Sequence, residues 1–260
     1  MTADAKSGVA DARPDAPVDR TLHDAPPLDA PIDACVTDVI CPVGYASVSC
    51  GDCVATSFAV TGTDLYGVDL PAGTVELRGG TGGHMLTDIA IDAEGKLFGV
   101  SDKFLYSLDP DGGTPTLIGP VANYPLALGF GPDGTLYSAG TTTSAEYVIF
   151  TIDPTTGADT FLAPFPFGYQ VSGDVAVIGR TLYATAAGGS EDELATLDLD
   201  TLAGNIVGPI GFGCVYGLAA QSGELYGFTC AGQIIRIDPT TAVGTLVSTP
   251  GESFSGAATR

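Results

Sequence analysis

The sequence predicts an all-β protein built from repeats. Residues 57–73, SFAVTGTDLYGVDLPAG, align without a gap with residues 97–113, LFGVSDKFLYSLDPDGG. Five copies of this pattern end in an aspartate before a turn, at spacings of 40, 44, 45 and 40 residues: Asp69, Asp109, Asp153, Asp198 and Asp238. No segment shows the 3.6-residue periodicity of an amphipathic helix, and the chain has 36 glycines, which argues against helical repeats.

Each repeat contains two hairpins. An aspartate followed by proline, as at Asp109 and Pro110, is typical of the type I turn that closes the later hairpin. The earlier hairpin pairs residues 88–91 with Leu97-Phe98 in one copy. Its other copies begin near Ala127, Asp174 and Leu218. Four short strands in about 40–46 residues correspond to one blade of a β-propeller.

The two ends of the repeat region complement one another. Residues 253–259 resemble the first strand of a blade but have no second strand after them, whereas residues 55–60 offer a strand without a first partner. We therefore predict five four-stranded blades, closed by pairing of the N- and C-terminal strands. Closure removes the exposed sheet edges that favour aggregation. A β-solenoid is the main alternative, and it would need no complementary ends.

Charge argues against two classes of partner. The chain of 260 residues carries 9 Lys plus Arg against 31 Asp plus Glu, a net charge of -22. Without a basic patch, binding to nucleic acid or to an anionic membrane surface is not expected. The charge favours a cationic partner or a divalent metal, or it simply keeps an exported protein soluble. No run of 18 apolar residues predicts a transmembrane helix.

Composition divides the chain into three segments. Residues 1–34 are almost entirely Asp, Ala and Pro, so we predict a disordered, extended tether. Residues 35–54 form a predicted cysteine-rich knob, and residues 55–260 the propeller. The knob contains four cysteines: Cys35, Cys41, Cys50 and Cys53. The closing C-x2-C pair would suit a zinc site, but we favour two disulfides because the first spacing is poor for zinc; three pairings are open.

The remaining two cysteines flank one predicted hairpin. Cys214 and Cys230 lie eight residues on either side of Ser222, the centre of the turn. Opposed residues on neighbouring strands come close to the distance that a disulfide spans. We predict a Cys214–Cys230 disulfide, with two buried free thiols as the alternative. Pairing of all six cysteines indicates an oxidising, extracytoplasmic compartment.

Few residues offer catalytic chemistry. None of the common hydrolase, metalloprotease or nucleotide-binding motifs occurs. Asp88 and Asp174 begin two predicted innermost strands, where carboxylates could bind Ca²⁺ or act as acid and base. The matching places in other blades have Ala127, Gly217 and Gly256, so a ring of ligands would be incomplete. The alternative is a pair of aspartates bonded to solvent or to the local backbone.

Aromatic residues mark the loops that lead into the innermost strands: Tyr124, Phe167, Tyr169, Phe212, Tyr216 and Phe254, with His84 in the first loop. Such loops converge on one face of a propeller, where exposed rings would stack on a sugar or hold a peptide. The alternative is that most of them fill the core. Our candidate ligand-binding residues are His84, Asp88, Tyr124, Tyr169, Asp174 and Tyr216.

The units LYSLDPDGGTPTLIGP and IDPTTGADTFLAP, with D-x-A-x-x-x-x-G-x-L-Y hairpins, resemble the bacterial β-propellers of the YVTN and NHL-like kind over residues 55–260. The Asp-Ala-Pro segment resembles the tethers of bacterial exported lipoproteins. The resemblance implies a binding platform that is secreted, periplasmic or lipid-anchored at the cell surface. Some members of these families are lyases or lactonases with a channel metal, but their metal ligands and catalytic histidine have no residue-by-residue match here.

Two functions follow from these observations. We expect a non-enzymatic, monomeric propeller without a cofactor that binds an extracellular protein or carbohydrate through its loop face. The alternative is a metal-dependent lyase or hydrolase that uses Asp88, Asp174 and His84, with Ca²⁺ as one possible ion. That alternative requires the three side chains to converge within the reach of one metal ion.

Overall fold

The repeats fold into antiparallel sheets around one axis, as the computed structural model of the chain shows. The structure describes residues 41–49, 52–70 and 72–260. The predicted tether, residues 1–34, lies outside these residues. The described part comprises a small hairpin and a five-bladed β-propeller, which confirms the predicted fold class.

The strands follow the repeat in order. The small hairpin contains β1 (Tyr45–Ser49) and β2 (Asp52–Ala55). Blade 1 contains β3 (Ser57–Val60), β4 (Asp64–Asp69) and β5 (Thr74–Gly80). Blade 2 contains β6 (Asp88–Ile91), β7 (Leu97–Ser101), β8 (Phe104–Leu108) and β9 (Pro115–Pro120). Blade 3 contains β10 (Tyr124–Pro125), β11 (Gly129–Phe130), β12 (Leu136–Thr141), β13 (Tyr147–Ile152) and β14 (Asp159–Pro164).

The last two blades and the closing strand complete the ring. Blade 4 contains β15 (Val171–Ile178), β16 (Thr181–Ala187), β17 (Asp192–Asp198) and β18 (Gly204–Pro209). Blade 5 contains β19 (Val215–Gln221), β20 (Glu224–Thr229), β21 (Ile234–Ile237) and β22 (Gly244–Ser248). The final strand, β23 (Gly256–Thr259), pairs antiparallel with β3, with Ala257 opposite Ala59. Blade 1 therefore has the order β23-β3-β4-β5, and the predicted closure is confirmed.

Blade 3 departs from the predicted pattern. The strand expected at residues 127–130 is split into β10 and β11. Between them, the N–H groups of Leu126 and Ala127 both donate to the carbonyl of Ala139, which is the geometry of a bulge. The next N–H group, that of Leu128, then points away from its own sheet and donates to Asp88 of blade 2. The interruption therefore coincides with a bulge and with a hydrogen bond to a neighbouring blade.

The repeated aspartates stabilise turns, as the sequence predicts. Asp198 Oδ1 accepts hydrogen bonds from the N–H groups of Asp200 and Thr201, at 3.0 and 2.8 Å. Asp238 makes the equivalent bonds in blade 5. Hydrogen bonds of this kind favour the ionised carboxylate, and they lower the pKa of both side chains.

Every outermost strand contains one irregular residue that interrupts its pairing. The residue before it is a large apolar side chain that is exposed, or half-buried in blade 4: Leu77, Leu117, Phe161, Ile206 and Leu246. In four blades the irregular residue packs against an apolar core cluster. In blade 1 the irregular residue is Arg78. Bulges of this kind twist a sheet edge and hinder pairing with another chain.

The small hairpin is joined to blade 1 by an arginine and an aromatic pair. The Tyr45 ring meets Phe58 edge-on at 5.7 Å between centroids, and the Arg78 guanidinium lies 5.4 Å from the Tyr45 centroid. Arg78 also donates to the carbonyl of Val43. A side chain at Gly67 would overlap that same carbonyl. Cys35 and Cys50 lie outside the described residues, so the pairing of the four N-terminal cysteines stays a prediction.

The apolar core lies mainly between adjacent blades. One cluster joins Phe58 and Leu65 of blade 1 to Ile89 and Leu97 of blade 2. Similar clusters follow at the other blade interfaces, built from alternate residues of strands that face one another. In the described part of the chain, no helix is both long and apolar enough to cross a membrane.

Candidate functional site

Two buried aspartates lie on innermost strands, Asp88 as the first residue of β6 and Asp174 as the fourth residue of β15, where the sequence predicted the strand to begin. Asp88 and Asp174 are both fully buried. Asp88 accepts hydrogen bonds from the N–H of Ile89 at 2.8 Å and from the N–H of Leu128, on the next blade, at 2.6 Å. Asp174 accepts from Val175 and, at 2.6 Å, from Leu218 on the next blade. Each carboxyl group therefore links two neighbouring blades through their backbones.

The two carboxyl groups also influence each other electrostatically. Burial, followed by the charge of Asp174, raises the pKa of Asp88 well above its ordinary value. Burial raises the pKa of Asp174 to about 7, although its hydrogen bonds act in the opposite direction. Neighbouring buried carboxyl groups do not both ionise readily, so burial and mutual repulsion favour the protonated form within the pair.

Small residues in the other blades make room for this pair. A Cβ atom on Gly256 would overlap Asp88 Oδ1 and would lie 2.7 Å from Asp88 Cα. A Cβ atom on Gly217 would lie 3.0 Å from the nitrogen of Ala257. The glycines at the positions that match the aspartates are therefore required by close packing at the axis. The sequence contained this signal, which we read only as missing ligands.

The pair fits a structural role. Each of its four oxygen atoms accepts a backbone N–H, and neither side chain reaches water. Within residues 41–49, 52–70 and 72–260, no group of three or more His, Cys, Asp and Glu residues could hold a metal ion. The geometry thus matches the backbone-bonded interpretation of Asp88 and Asp174.

His84 lies apart from the aspartates. Its side chain is exposed, and its ring packs against Tyr106 with 5.0 Å between centroids. Its carbonyl accepts a hydrogen bond from the Thr81 hydroxyl. The structure therefore brings Asp88 and Asp174 together without His84, and the three do not form one site.

The predicted aromatic residues divide into exposed and buried sets. We call the loops that lead into the innermost strands the loop face. Tyr124 and Tyr216 are exposed there, by 44% and 39%, and Met85 is 70% exposed. Tyr169 is half-buried against the core between blades 3 and 4. Phe254 is buried against Phe228, at 5.4 Å between centroids. The side chain of Phe167 lies outside the described part, and Phe212 is half-buried.

Tyr216 projects from a braced loop. The predicted disulfide between Cys214 and Cys230 is confirmed, with 5.6 Å between Cα atoms. Asp192 accepts hydrogen bonds from the N–H of Val215 at 2.6 Å and from the Ser172 hydroxyl at 2.7 Å. Burial is the main cause of the raised pKa of Asp192. The covalent bond and the carboxylate hold the backbone on one side of Tyr216.

Tyr124 is held in a comparable way. Asp159 accepts hydrogen bonds from the N–H of Ala122 at 2.8 Å and from the side-chain amide of Asn123 at 2.7 Å. The Lys103 ammonium group lies 4.3 Å from the centroid of the Tyr124 ring, which is cation–π geometry. Our sequence reasoning missed Asp159 and Asp192, because both come from strands that are distant in the chain from the loops they hold.

A cavity at the axis opens at the opposite end of the ring. We call this end the turn face, because it holds the turns between the first and second strands of the blades. The cavity has a volume of about 390 Å³ and is lined by the later residues of the innermost strands. It includes residues from all five blades, such as Ala90, Phe130, Val177, Ala220 and Ala258. Small residues in the innermost strands are the one feature of the sequence that relates to this cavity.

Solved structures with a similar fold have varied functions. A chain in the crystal structure of a nidogen/laminin complex has a TM-score of 0.54 at 14% identity, over 77% of this chain and 82% of that chain. A gluconolactonase from Xanthomonas campestris has a TM-score of 0.52 at 19% identity, over 74% and 71%. TolB from Acinetobacter baumannii has a TM-score of 0.50 at 17% identity, over 75% of this chain and 51% of that chain.

The similarity is one of fold. Identities below 20% carry no residue roles from these proteins to this chain. No protein-family model matches the sequence, and no curated protein matches it either. The function therefore has to be argued from the geometry of the chain itself.

Proposed function

We propose that this protein is a non-enzymatic binding propeller that recognises a protein partner through its loop face. The observation that carries the proposal is the pair of exposed, braced tyrosines, Tyr124 and Tyr216. Tyrosine supplies a large contact area with few rotatable bonds, and it is common among the residues that dominate binding energy. Bracing by Asp159, by Asp192 and by the disulfide lowers the entropy lost on binding.

Charge and fold similarity support a basic protein partner. A net charge of -22 attracts a cationic surface and accelerates its association. A similarly folded chain occurs in a nidogen/laminin complex, which is an assembly of two proteins. Carbohydrate is the second candidate, because exposed tyrosine rings can also stack on a sugar.

We place the protein outside the cytoplasm as part of the same proposal. The Cys214–Cys230 disulfide is compatible with an oxidising compartment. The Asp-Ala-Pro segment at residues 1–34 would serve as a tether of the bacterial lipoprotein type, with the cysteine-rich segment 35–54 between it and the propeller at 55–260. The propeller would act as a monomer.

The geometry favours binding over hydrolysis or lyase chemistry. A metal-dependent mechanism in the channel would need carboxylate oxygens that are free to coordinate an ion. Asp88 and Asp174 direct theirs at backbone N–H groups, and His84 packs on Tyr106 instead. The gluconolactonase shares the fold, but a shared fold alone does not imply that this chain catalyses the same reaction.

The test compares variants of the full chain. Immobilised wild-type protein would be exposed to the extracytoplasmic protein fraction of its source organism and, separately, to a glycan array. We expect a protein ligand whose capture falls about thirtyfold in Tyr124→Ala/Tyr216→Ala, equivalent to two binding residues of about 1 kcal/mol each. Phe161→Ala removes an aromatic ring of greater exposure from an outermost strand and should leave capture unchanged.

Three outcomes separate the interpretations. Glycans that bind wild type and not the double variant would replace the protein partner by carbohydrate. Capture that survives loss of both tyrosines would overturn the proposed face. Asp88→Asn/Asp174→Asn, compared at equal folded concentration, should keep partner binding, and loss of binding there would point back to the channel.

A further inference from the structure

The cavity on the turn face is a blind pocket at the axis of the ring. Its volume of about 390 Å³ is within the range of small-molecule binding sites. Leu128, Val175 and Leu218 line it, and the N–H groups of these same residues donate to Asp88 or Asp174. The carboxyl pair is fully buried. These residues therefore close the inner end of the pocket, and the carboxyl groups of Asp88 and Asp174 are not accessible from it.

The walls combine apolar side chains with backbone polar groups. The lining side chains are mostly small and apolar, as at Ala90, Val177, Ala220 and Ala258. The innermost strands of blades 2, 4 and 5 are each the first strand of their sheet and pair on one side only. An unpaired sheet edge presents N–H and C=O groups at alternate residues, and these edges face the axis. The pocket thus offers apolar contact together with neutral donors and acceptors.

Charged side chains lie only at its mouth. Among the described residues that line the pocket, the charged ones are Asp92 and Arg260. Asp92 Oδ1 accepts the N–H groups of Glu94 and Lys96, at 3.1 and 2.8 Å, so this carboxylate is directed into its own turn. Arg260 is exposed. A charged ligand would lose its hydration inside the pocket without a partner of opposite charge there.

We propose that the turn-face pocket is a binding site for a small uncharged molecule that has an apolar body and hydrogen-bonding groups. The apolar body matches the alanine, valine and leucine walls, and its polar groups match the strand edges that face the axis. A purely apolar ligand would leave those backbone groups unpaired, at a cost in free energy. This site is separate from the loop face, and its occupation does not depend on the tyrosines.

The first experiment uses two fluorescent dyes with the full chain. Nile red is uncharged, and its emission reports an apolar environment; anilinonaphthalene sulfonate is an anion. We expect saturable binding of Nile red at one molecule per chain and at least about tenfold weaker binding of the anion. Ala220→Phe fills the pocket at a half-buried lining position and should abolish Nile red binding. Tyr124→Ala and Phe161→Ala, in exposed positions elsewhere, should bind like wild type.

The second experiment maps the dye on the wild-type chain and needs no variant. Methyl groups of Ala90, Val177, Ala220 and Ala258 should shift in NMR spectra during the titration, which supports the proposal even where Ala220→Phe folds poorly. Shifts confined to the exposed side chains of the outermost strands, Leu77, Leu117 and Leu246, would overturn it. Equal affinity for both dyes, unsaturable binding, or unchanged Nile red binding by a folded Ala220→Phe variant would overturn it as well.

Discussion

At the scale of single residues, the centre of the ring is held by two acids that are never exposed to water. Burying a carboxylate is costly unless its oxygens are satisfied. Here Asp88 and Asp174 together accept four backbone N–H groups. Removal of either side chain would leave buried donors without acceptors on two blades at once.

This pair predicts that the protein is more stable in mild acid than at neutral pH. In the unfolded chain these carboxyl groups ionise near their ordinary pKa of 3.8, whereas in the fold the pKa of Asp174 is about 7 and that of Asp88 is also raised. Between these values the folded state binds more protons, so the free energy of unfolding falls as pH rises from about 4 to 7. Urea unfolding at pH 4.5, 6 and 7.5 measures the slope.

Two controls assign that slope to the pair. Carboxyl carbon NMR of Asp174 should titrate close to neutrality, while Asp153, Asp198 and Asp238 should titrate below their ordinary range because turn hydrogen bonds lower their pKa. Protonation of other carboxylates in acid also lowers the net negative charge and thereby stabilises the fold. Asp88→Asn/Asp174→Asn should therefore reduce the dependence of stability on pH without abolishing it. Wild-type stability that rises from pH 5 to 7.5 would contradict the prediction.

Gly256 provides a steric test of the same centre. Gly256→Ala places a methyl group against Asp88 Oδ1, and overpacking of this kind should lower the free energy of unfolding by about 1–3 kcal/mol. Gly80→Ala is the matched control, because the nearest atom to its Cβ would be 3.7 Å away. Both variants are compared by chemical denaturation. Equal stability of the two would show that the axis is looser than described.

At the scale of elements, the hairpin β19–β20 joins stability to the proposed binding face. Cys214→Ser/Cys230→Ser opens a loop of sequence separation 16 and should lower the free energy of unfolding by about 3 kcal/mol. It should also weaken partner capture, because Tyr216 loses its brace. Tyr216→Ala should weaken capture with little change in urea midpoint. A disulfide variant with wild-type stability would contradict the first expectation.

Strands and turns were predicted well where the signals that determine them lie within one repeat. The repeated hairpin that begins at Asp88–Ile91 and the proline turn at Asp109 are local properties, so strands and turns followed from the sequence. Contacts between blades could not be predicted from the sequence. The bond from Leu128 to Asp88 joins two blades, and the burial of Phe254 against the exposure of Tyr124 depends on neighbours that the repeat does not encode.

At the scale of the whole molecule, the circumference of the ring is arranged against self-association. Each outermost strand has a bulge beside its large apolar residue, including Leu117 and Phe161. We therefore expect sedimentation as a monomer across the accessible concentration range, helped by the net charge of -22. A dimer that persists on dilution and dissociates in Phe161→Lys would contradict this and identify the edge responsible.

The closure of blade 1 also has a mechanical consequence. Strand β3 is paired on both sides, with β23 and with β4, and so the first strand of the ring is not a sheet edge. A force applied to the chain ahead of Ser57 would act along β3 and would load the hydrogen bonds of both neighbours at once. An edge strand under the same force would load the hydrogen bonds of a single neighbour. A propeller pulled by its N-terminal segment would therefore keep its ring closed at a tension that opens a sheet whose first strand lies at the edge.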